Sequence, residues 1–142
     1  MNYFDACYIA KFYLAEPDSA RVEAFARANP VIYCLASGKT KVISVFHRKF
    51  RENILDQAGF QLLCDQFDAD CAASLWRWLP VSDSLITSSL TRLRSLAATT
   101  FLRAADALHL TSAIEEGFGT IHTSDRHMLA AAPYFGIQPV IL

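Results

Sequence analysis

Short apolar segments alternate with longer segments of helical spacing along the whole chain, and this alternation is the strongest constraint on the fold. The predicted strands are 2–4, 30–36, 78–82, 119–125 and 138–142, and the predicted helices are 6–16, 17–29, 39–54, 59–78, 83–98, 104–117 and 126–136. The last helix is expected to stop at Pro133. The order predicts an α/β fold, in which one parallel β-sheet is covered by helices on both faces as an α/β/α sandwich.

The composition is that of one globular domain spanning residues 1–142. The chain is 53% hydrophobic and 19% charged, so it can bury a substantial core. Its net charge of −1 does not indicate nucleic-acid binding by the molecule as a whole. No apolar run approaches the roughly 18 residues that span a membrane. The four cysteines form no C-x-x-C pair and have no zinc-ligand spacing to the histidines, so we expect reduced, buried thiols in a cytoplasmic protein.

Three aspartates stand where a ligand site is expected. Asp5 and Asp125 each follow a predicted strand directly, and Asp106 lies at the start of a predicted helix among apolar residues. The carboxyl ends of parallel strands form the usual ligand edge of a sheet. Three carboxylates that converge there repel one another unless a cation or a proton intervenes. Oxygen ligands of this kind favour Mg²⁺ or Mn²⁺, which serve water activation and phosphate chemistry.

Each acid also has a purely structural interpretation. Asp5 and Asp125 precede helices, where aspartate is a common N-cap. Asp106 is three residues after Arg103, so the two can form an ordinary surface ion pair. His109 and His127 are interpreted as structural residues rather than as general bases. The basic residues of segment 39–54 are either a phosphate-binding patch or a solvated helix face.

Three motifs in this order resemble the PIN-domain ribonucleases, and more narrowly the VapC-type toxins of bacterial toxin–antitoxin pairs. They are "YFDACYIAKFYLAEP" at the start, "LRAADALHL" at 102–110 and "HTSDRHML" at 122–129. The resemblance covers nearly the whole chain. It implies a Mg²⁺- or Mn²⁺-dependent endoribonuclease, usually a homodimer, with a PIN-like parallel sheet. It also implies two macromolecular partners, an RNA substrate and a cognate antitoxin that docks across the helices and inhibits the toxin.

The resemblance also implies which residues form the site. The family acids correspond to Asp5, Asp106 and Asp125, which would be the metal ligands and catalytic acids, and Thr123 supplies a nearby hydroxyl. Cys7 stands where the family usually has serine or threonine. Alignment on "ISVFHRKFRE" places a further family glutamate at position 41, where this chain has Lys41. We therefore predict that Lys41 pairs with Asp5 or Asp106 and weakens metal binding.

Two other functions can be compared with the sequence. A catalytically inactive PIN module that binds antitoxin or RNA would explain Lys41. A phospho-acceptor receiver domain would need paired acids after the first strand and a lysine after the last, and this chain has neither. The aromatic residues of the middle helices are interpreted as core, antitoxin groove or dimer surface rather than as base-stacking residues.

Overall fold

The computed structural model describes residues 1–142 as seven helices and five short strands. The strands are β1 (Asn2–Tyr3), β2 (Ile32–Leu35), β3 (Trp76–Leu79), β4 (Thr120–His122) and β5 (Gln138–Val140). The helices are α1 (Ala6–Tyr13), α2 (Ser19–Ala28), α3 (Gly38–Arg51), α4 (Gln57–Ala72), α5 (Asp83–Ser95), α6 (Ala104–Glu115) and α7 (Arg126–Phe135). None of the helices is both long enough and apolar enough to cross a membrane.

The predicted sandwich with one continuous PIN-like parallel sheet is wrong. The helices hold 58% of the residues, and the strands form two small parallel sheets, β1-β2-β3 and β4-β5. The strands are two to four residues long. Alternation along the chain predicted the parallel direction of each pairing, but it does not specify how long each ladder runs. The molecule is a helix-rich α/β protein rather than a sheet sandwiched between helices.

A single point of β pairing connects the two sheets. Phe4 and His122 form an isolated parallel bridge, and the amide of Asp5 donates to the His122 carbonyl over 3.0 Å. The pairing goes no further because Asp5 is already the cap of α1. The ends of β1 and β4 therefore lie side by side without a continuous ladder between them.

The buried apolar side chains form two clusters rather than one. The larger cluster has 14 buried residues, which come mainly from α1, α2 and α3 and include Trp76 and Phe67. The smaller has 11, which come mainly from α6 and α7 and include Tyr3. The aromatic residues expected to be core do pack inside the molecule in part, since Phe46, Phe67 and Trp76 are buried.

Several predicted boundaries are shifted. The segment 59–78 was predicted as one helix, but α4 stops at Ala72 and β3 starts at Trp76. Ser74 adopts a positive φ of 59° between them, a conformation that ends a helix. Pro133 does not stop α7, because in the last turn its missing N–H removes only one helical hydrogen bond. Gly136, with a φ of 78°, is the residue that ends this helix.

Gly38 lets the start of α3 lie close to the first turn of α1. A Cβ atom built on Gly38 would lie 2.8 Å from the Cys34 Sγ and 3.2 Å from the Ala6 Cβ. Ala6 belongs to the first turn of α1, directly after Asp5. This close approach brings the first turns of α3 and α1 together.

We predict that Gly38→Ala lowers the free energy of unfolding by about 1–3 kcal/mol, the usual effect of overpacking a core. Urea denaturation measures the loss, and Gly119→Ala is the matched control because nothing lies within 4 Å of a Cβ at that position. Cys34→Ala in the same chain should relieve most of the loss. An unchanged loss in that double variant would contradict the assigned clash.

Candidate active site

Asp5 and Asp125 each cap a helix, as the structural interpretation predicted. Asp5 precedes α1, and its Oδ1 accepts a hydrogen bond from the Cys7 amide over 3.4 Å. Asp125 precedes α7, and its Oδ1 accepts from the His127 and Met128 amides over 2.8 and 3.2 Å. Capping therefore engages the Oδ1 of each aspartate and leaves Oδ2 for other partners.

Thr123 connects the two caps. Its hydroxyl is fully buried, donates to the Asp5 Oδ2 over 3.0 Å and accepts from the Asp125 amide over 3.0 Å. The hydroxyl thereby uses both its donor and an acceptor lone pair. Because the Thr123 amide also donates to the Val140 carbonyl, the site is fixed to β5. Thr123 thus sets the positions of two of the three predicted acids.

Asp106 lies in the first turn of α6 and is buried. Burial raises the pKa of its carboxyl, and the negative charges of Asp5 and Asp125 raise it further. The carboxylates of these residues are therefore close enough to affect one another, although they come from three separate segments of the chain. For Asp125, burial also acts to raise the pKa, but the hydrogen bonds from the α7 amides and from Arg103 outweigh it and lower the pKa.

Arg103 bridges Asp106 and Asp125. Its Nη1 lies 3.4 Å from the Asp106 Oδ2 and 2.9 Å from the Asp125 Oδ2. The sequence spacing indicated the first of these contacts and not the second, since 22 residues separate Arg103 from Asp125. The hydrogen bond to Asp125 is the main reason that the pKa of Arg103 is raised, so the side chain is firmly cationic.

The predicted ion pair of Lys41 with Asp5 or Asp106 is absent. Lys41 is exposed, and none of the five salt bridges in the molecule involves it. The positive charge of Lys41 nevertheless acts on the site, because it partly offsets the increase in the pKa of Asp106. The reason for the difference is position: Lys41 projects from the exposed side of α3, whereas Arg103 stands directly before α6.

Two side chains next to the acids are buried in ways that limit their chemistry. Burial and the charge of Asp5 raise the pKa of the Cys7 thiol to about 12, so Cys7 is a neutral thiol at physiological pH. Burial lowers the pKa of His109, whose Nδ1 lies 3.2 Å from the Tyr3 hydroxyl. The burial of His109 and its contact with Tyr3 fit the structural role that the sequence predicted for it.

Of the four cysteines, all free, only Cys34 is buried; the other three are half-buried.

Lys11 and Arg48 lie beside Asp125. Both line a cavity of about 210 Å³ that also includes Cys7, Ser124 and Asp125. The Lys11 ammonium donates to the Asp18 carboxylate and, over 3.0 Å, to the Ser124 hydroxyl. Of the other α3 basic residues, Lys49 pairs with Glu16 over 2.8 Å, so it is not part of a free phosphate-binding face.

The three carboxylates are of the type that binds a hard divalent ion, but two of them, Asp106 and Asp125, already contact the Arg103 cation. No three acidic, histidine or cysteine side chains lie close enough together to hold a metal ion as they stand. The Oδ2 atoms of Asp106 and Asp125 both contact Arg103, and the Oδ1 of Asp125 accepts hydrogen bonds from the α7 amides. All three acids are nevertheless oxygen donors of the type that Mg²⁺ and Mn²⁺ prefer.

A scan against models of known protein families finds no match to this chain. A search of curated proteins also finds no relative. The resemblance to VapC-type toxins therefore rests on the three sequence motifs.

We predict that Thr123→Val lowers the free energy of unfolding by about 1–3 kcal/mol, because it leaves the Asp5 Oδ2 and the Asp125 amide without a partner in a buried place. Urea denaturation measures the loss. Thr111→Val is the matched control: Thr111 is equally buried, but its hydroxyl donates only to the Ala107 carbonyl of its own helix. Equal losses in the two variants would contradict the connecting role of Thr123.

The Lys11–Asp18 pair, which helps fix Ser124 beside Asp125, should make stability depend on pH. The hydrogen bond from Lys11 lowers the pKa of Asp18 in the folded protein. The stabilisation is therefore present above the unfolded pKa of about 3.9 and is lost as the pH falls through the lower folded value. Asp18→Asn should thus lower stability at pH 7 and have a smaller effect at about pH 2. Urea denaturation at both pH values, repeated in a Lys11→Met background, tests this; a difference that persists without Lys11 would contradict it.

Proposed function

We propose that this chain is a Mg²⁺- or Mn²⁺-dependent endoribonuclease, similar to VapC-type toxins, with Asp5, Asp106 and Asp125 as the metal-binding acids. The proposal concerns the site and its chemistry. It does not depend on the sandwich fold, which the structure excludes.

One observation supports the proposal above all others. Acids from the N-termini of α1, α6 and α7 are linked in one network, in which Thr123 joins Asp5 to Asp125 and Arg103 joins Asp125 to Asp106. Their negative charges raise the pKa of Asp106 in a buried position. An arrangement that places like charges together against their mutual repulsion is typical of sites that bind a cation or move a proton.

A divalent ion held by the three acids would supply water activation and stabilisation of the negative charge on the phosphate oxygens. The protein itself supplies orientation. Thr123 fixes the Asp5 carboxylate, and the α7 amides fix the Asp125 carboxylate. The Arg48 guanidinium, in the adjoining cavity, offers positive charge to neighbouring RNA phosphates, whereas Lys11 is already paired with Asp18.

The proposed biological setting follows the resemblance. We propose a cytoplasmic toxin that forms a homodimer and is held inactive by a cognate antitoxin. The four free cysteines fit a reducing compartment.

A second candidate function is a catalytically inactive module that binds antitoxin or RNA. Two observations favour it. Lys41 stands where the family motif has an acid, and no three potential ligands lie close enough to hold a metal ion as they stand. The two candidates differ in whether cleavage appears when the acidic charge is restored.

We predict that Lys41→Glu raises Mn²⁺-dependent RNA cleavage at least about tenfold over the parent chain, which corresponds to about 1.4 kcal/mol of transition-state stabilisation. The reason is that an acid replaces a cation beside the three aspartates. Cleavage of total cellular RNA, followed by gel electrophoresis and end mapping, measures the effect.

Two controls isolate the site. Lys39→Glu makes the same change of charge on the same helix, but Lys39 lies over the Trp78 ring at 5.3 Å, so it should not raise cleavage. Asp106→Asn in the Lys41→Glu background should abolish cleavage. If Lys41→Glu does not cut RNA with either ion, the nuclease proposal fails and the binding module is favoured. An equal gain from Lys39→Glu would show a general effect of charge.

A further inference from the structure

Arg103 occupies the place between two of the three acids. A single guanidinium nitrogen contacts the Oδ2 of both Asp106 and Asp125, over 3.4 and 2.9 Å. The Arg103 side chain is 49% exposed, whereas those of Asp106 and Asp125 are 12% and 19% exposed. The guanidinium thus covers the two carboxylates from the solvent side.

At Asp125, the contacted oxygen is the one that a divalent ion would need. The Oδ1 of Asp125 accepts two amide hydrogen bonds from α7, so its Oδ2 is the oxygen left for another cation. Mg²⁺ binds carboxylate oxygens at about 2.0–2.1 Å. An ion bound to the Oδ2 of both Asp106 and Asp125 would therefore need the space in which the Arg103 Nη1 lies.

Little else holds Arg103 in place. Its side chain makes no salt bridge or hydrogen bond apart from those to the two aspartates. The residue directly precedes α6 and follows a segment without helix or strand. An exposed arginine side chain on such a segment can turn toward solvent without disturbing the core.

We propose that Arg103 is an internal counter-ion that closes the acidic site, so that Arg103 and a divalent metal ion bind Asp106 and Asp125 in mutually exclusive states. This inference rests on the proposed metal site and adds how that site is regulated. The metal-free state is stabilised by Arg103, and the metal has to displace the guanidinium. Lys41 makes no ion pair with these acids, so it does not compete with a metal ion for their oxygens.

The test is the affinity of the full chain for Mn²⁺, measured from the free-ion signal in electron paramagnetic resonance. Arg103→Gln should bind Mn²⁺ about tenfold more tightly than the parent chain, a gain of about 1.4 kcal/mol, because the competing cation is gone. Arg27→Gln is the matched control, since Arg27 also forms an arginine–carboxylate pair, with Glu23, on the exposed surface of α2. Its Mn²⁺ affinity should equal that of the parent chain.

Thermal unfolding separates competition from a merely structural role. Arg103→Gln should lower Tm in the absence of metal, since Asp106 and Asp125 lose their counter-ion, and Mn²⁺ should raise Tm more in this variant than in the parent chain. A structural role alone would lower Tm and leave the Mn²⁺ affinity unchanged. Arg103→Lys, which keeps a cation but not the bridging guanidinium, should give an intermediate affinity, and it provides the measurement if Arg103→Gln does not fold.

The outcomes distinguish this inference from the proposed function. If the parent chain binds Mn²⁺, Asp106→Asn abolishes that binding, and Arg103→Gln does not tighten it, the counter-ion role is overturned and the metal site stands. If the parent chain, Lys41→Glu and the Arg103 variants all fail to bind Mn²⁺, both the counter-ion role and the metal site are overturned.

Discussion

The meeting of β1 and β4 at a single bridge is the constraint on which the candidate site depends. Phe4 pairs with His122, and the next residue in each segment belongs to the site: Asp5 on one side and Thr123 on the other. A longer ladder would keep the backbone of Asp5 in β pairing, away from the helix-capping position that it occupies. The same short contact that divides the strands into two sheets therefore places a carboxylate and a buried hydroxyl side by side.

The capping and ligand interpretations of the aspartates are compatible, because each carboxylate has two oxygens. In Asp125, one oxygen accepts amide hydrogen bonds from the first turn of α7, and the other faces Arg103. The helix amides hold the carboxylate rigidly and favour its charged form. A cap is thus a good way to orient an acid that also has to bind a cation. Asp106 has no such support, and burial raises the pKa of its carboxyl, so a positive neighbour favours its charged form.

The sequence predicted the order of the elements well, because that order depends on local patterns. Helical spacing and stop signals located six of the seven helices within three residues at each end, whereas the predicted helix 59–78 ran six residues past the end of α4 and into β3. The extent of the sheet was not predictable in this way, since it depends on pairing between residues far apart in the chain. Phe4 and His122 form the only bridge between β1 and β4, and nothing in the local pattern of either segment marks where pairing stops.

The same distinction between local and long-range information applies to the site. The Arg103–Asp106 contact is visible in a spacing of three residues, but the Arg103–Asp125 contact depends on how α6 and α7 are placed. Sequence reasoning consequently assigned the internal cation to Lys41, the residue that breaks the family pattern. The residue in direct contact with the acids is Arg103, which the sequence had indicated only as a surface ion-pair partner of Asp106.

Lys41 and Arg103 differ in how their positive charges act on the three carboxylates. An exposed ammonium without an ion pair acts through water, where unit charges about 8 Å apart interact by only about 0.5 kcal/mol and salt reduces this further. A guanidinium in contact with two carboxylates acts at short range and occupies the space itself. Of the two cations, Arg103 therefore has the stronger direct effect on Asp106 and Asp125, because it contacts both carboxylates. Whatever residue stands at position 41, access to these two carboxylates depends first on Arg103 under the proposed counter-ion role.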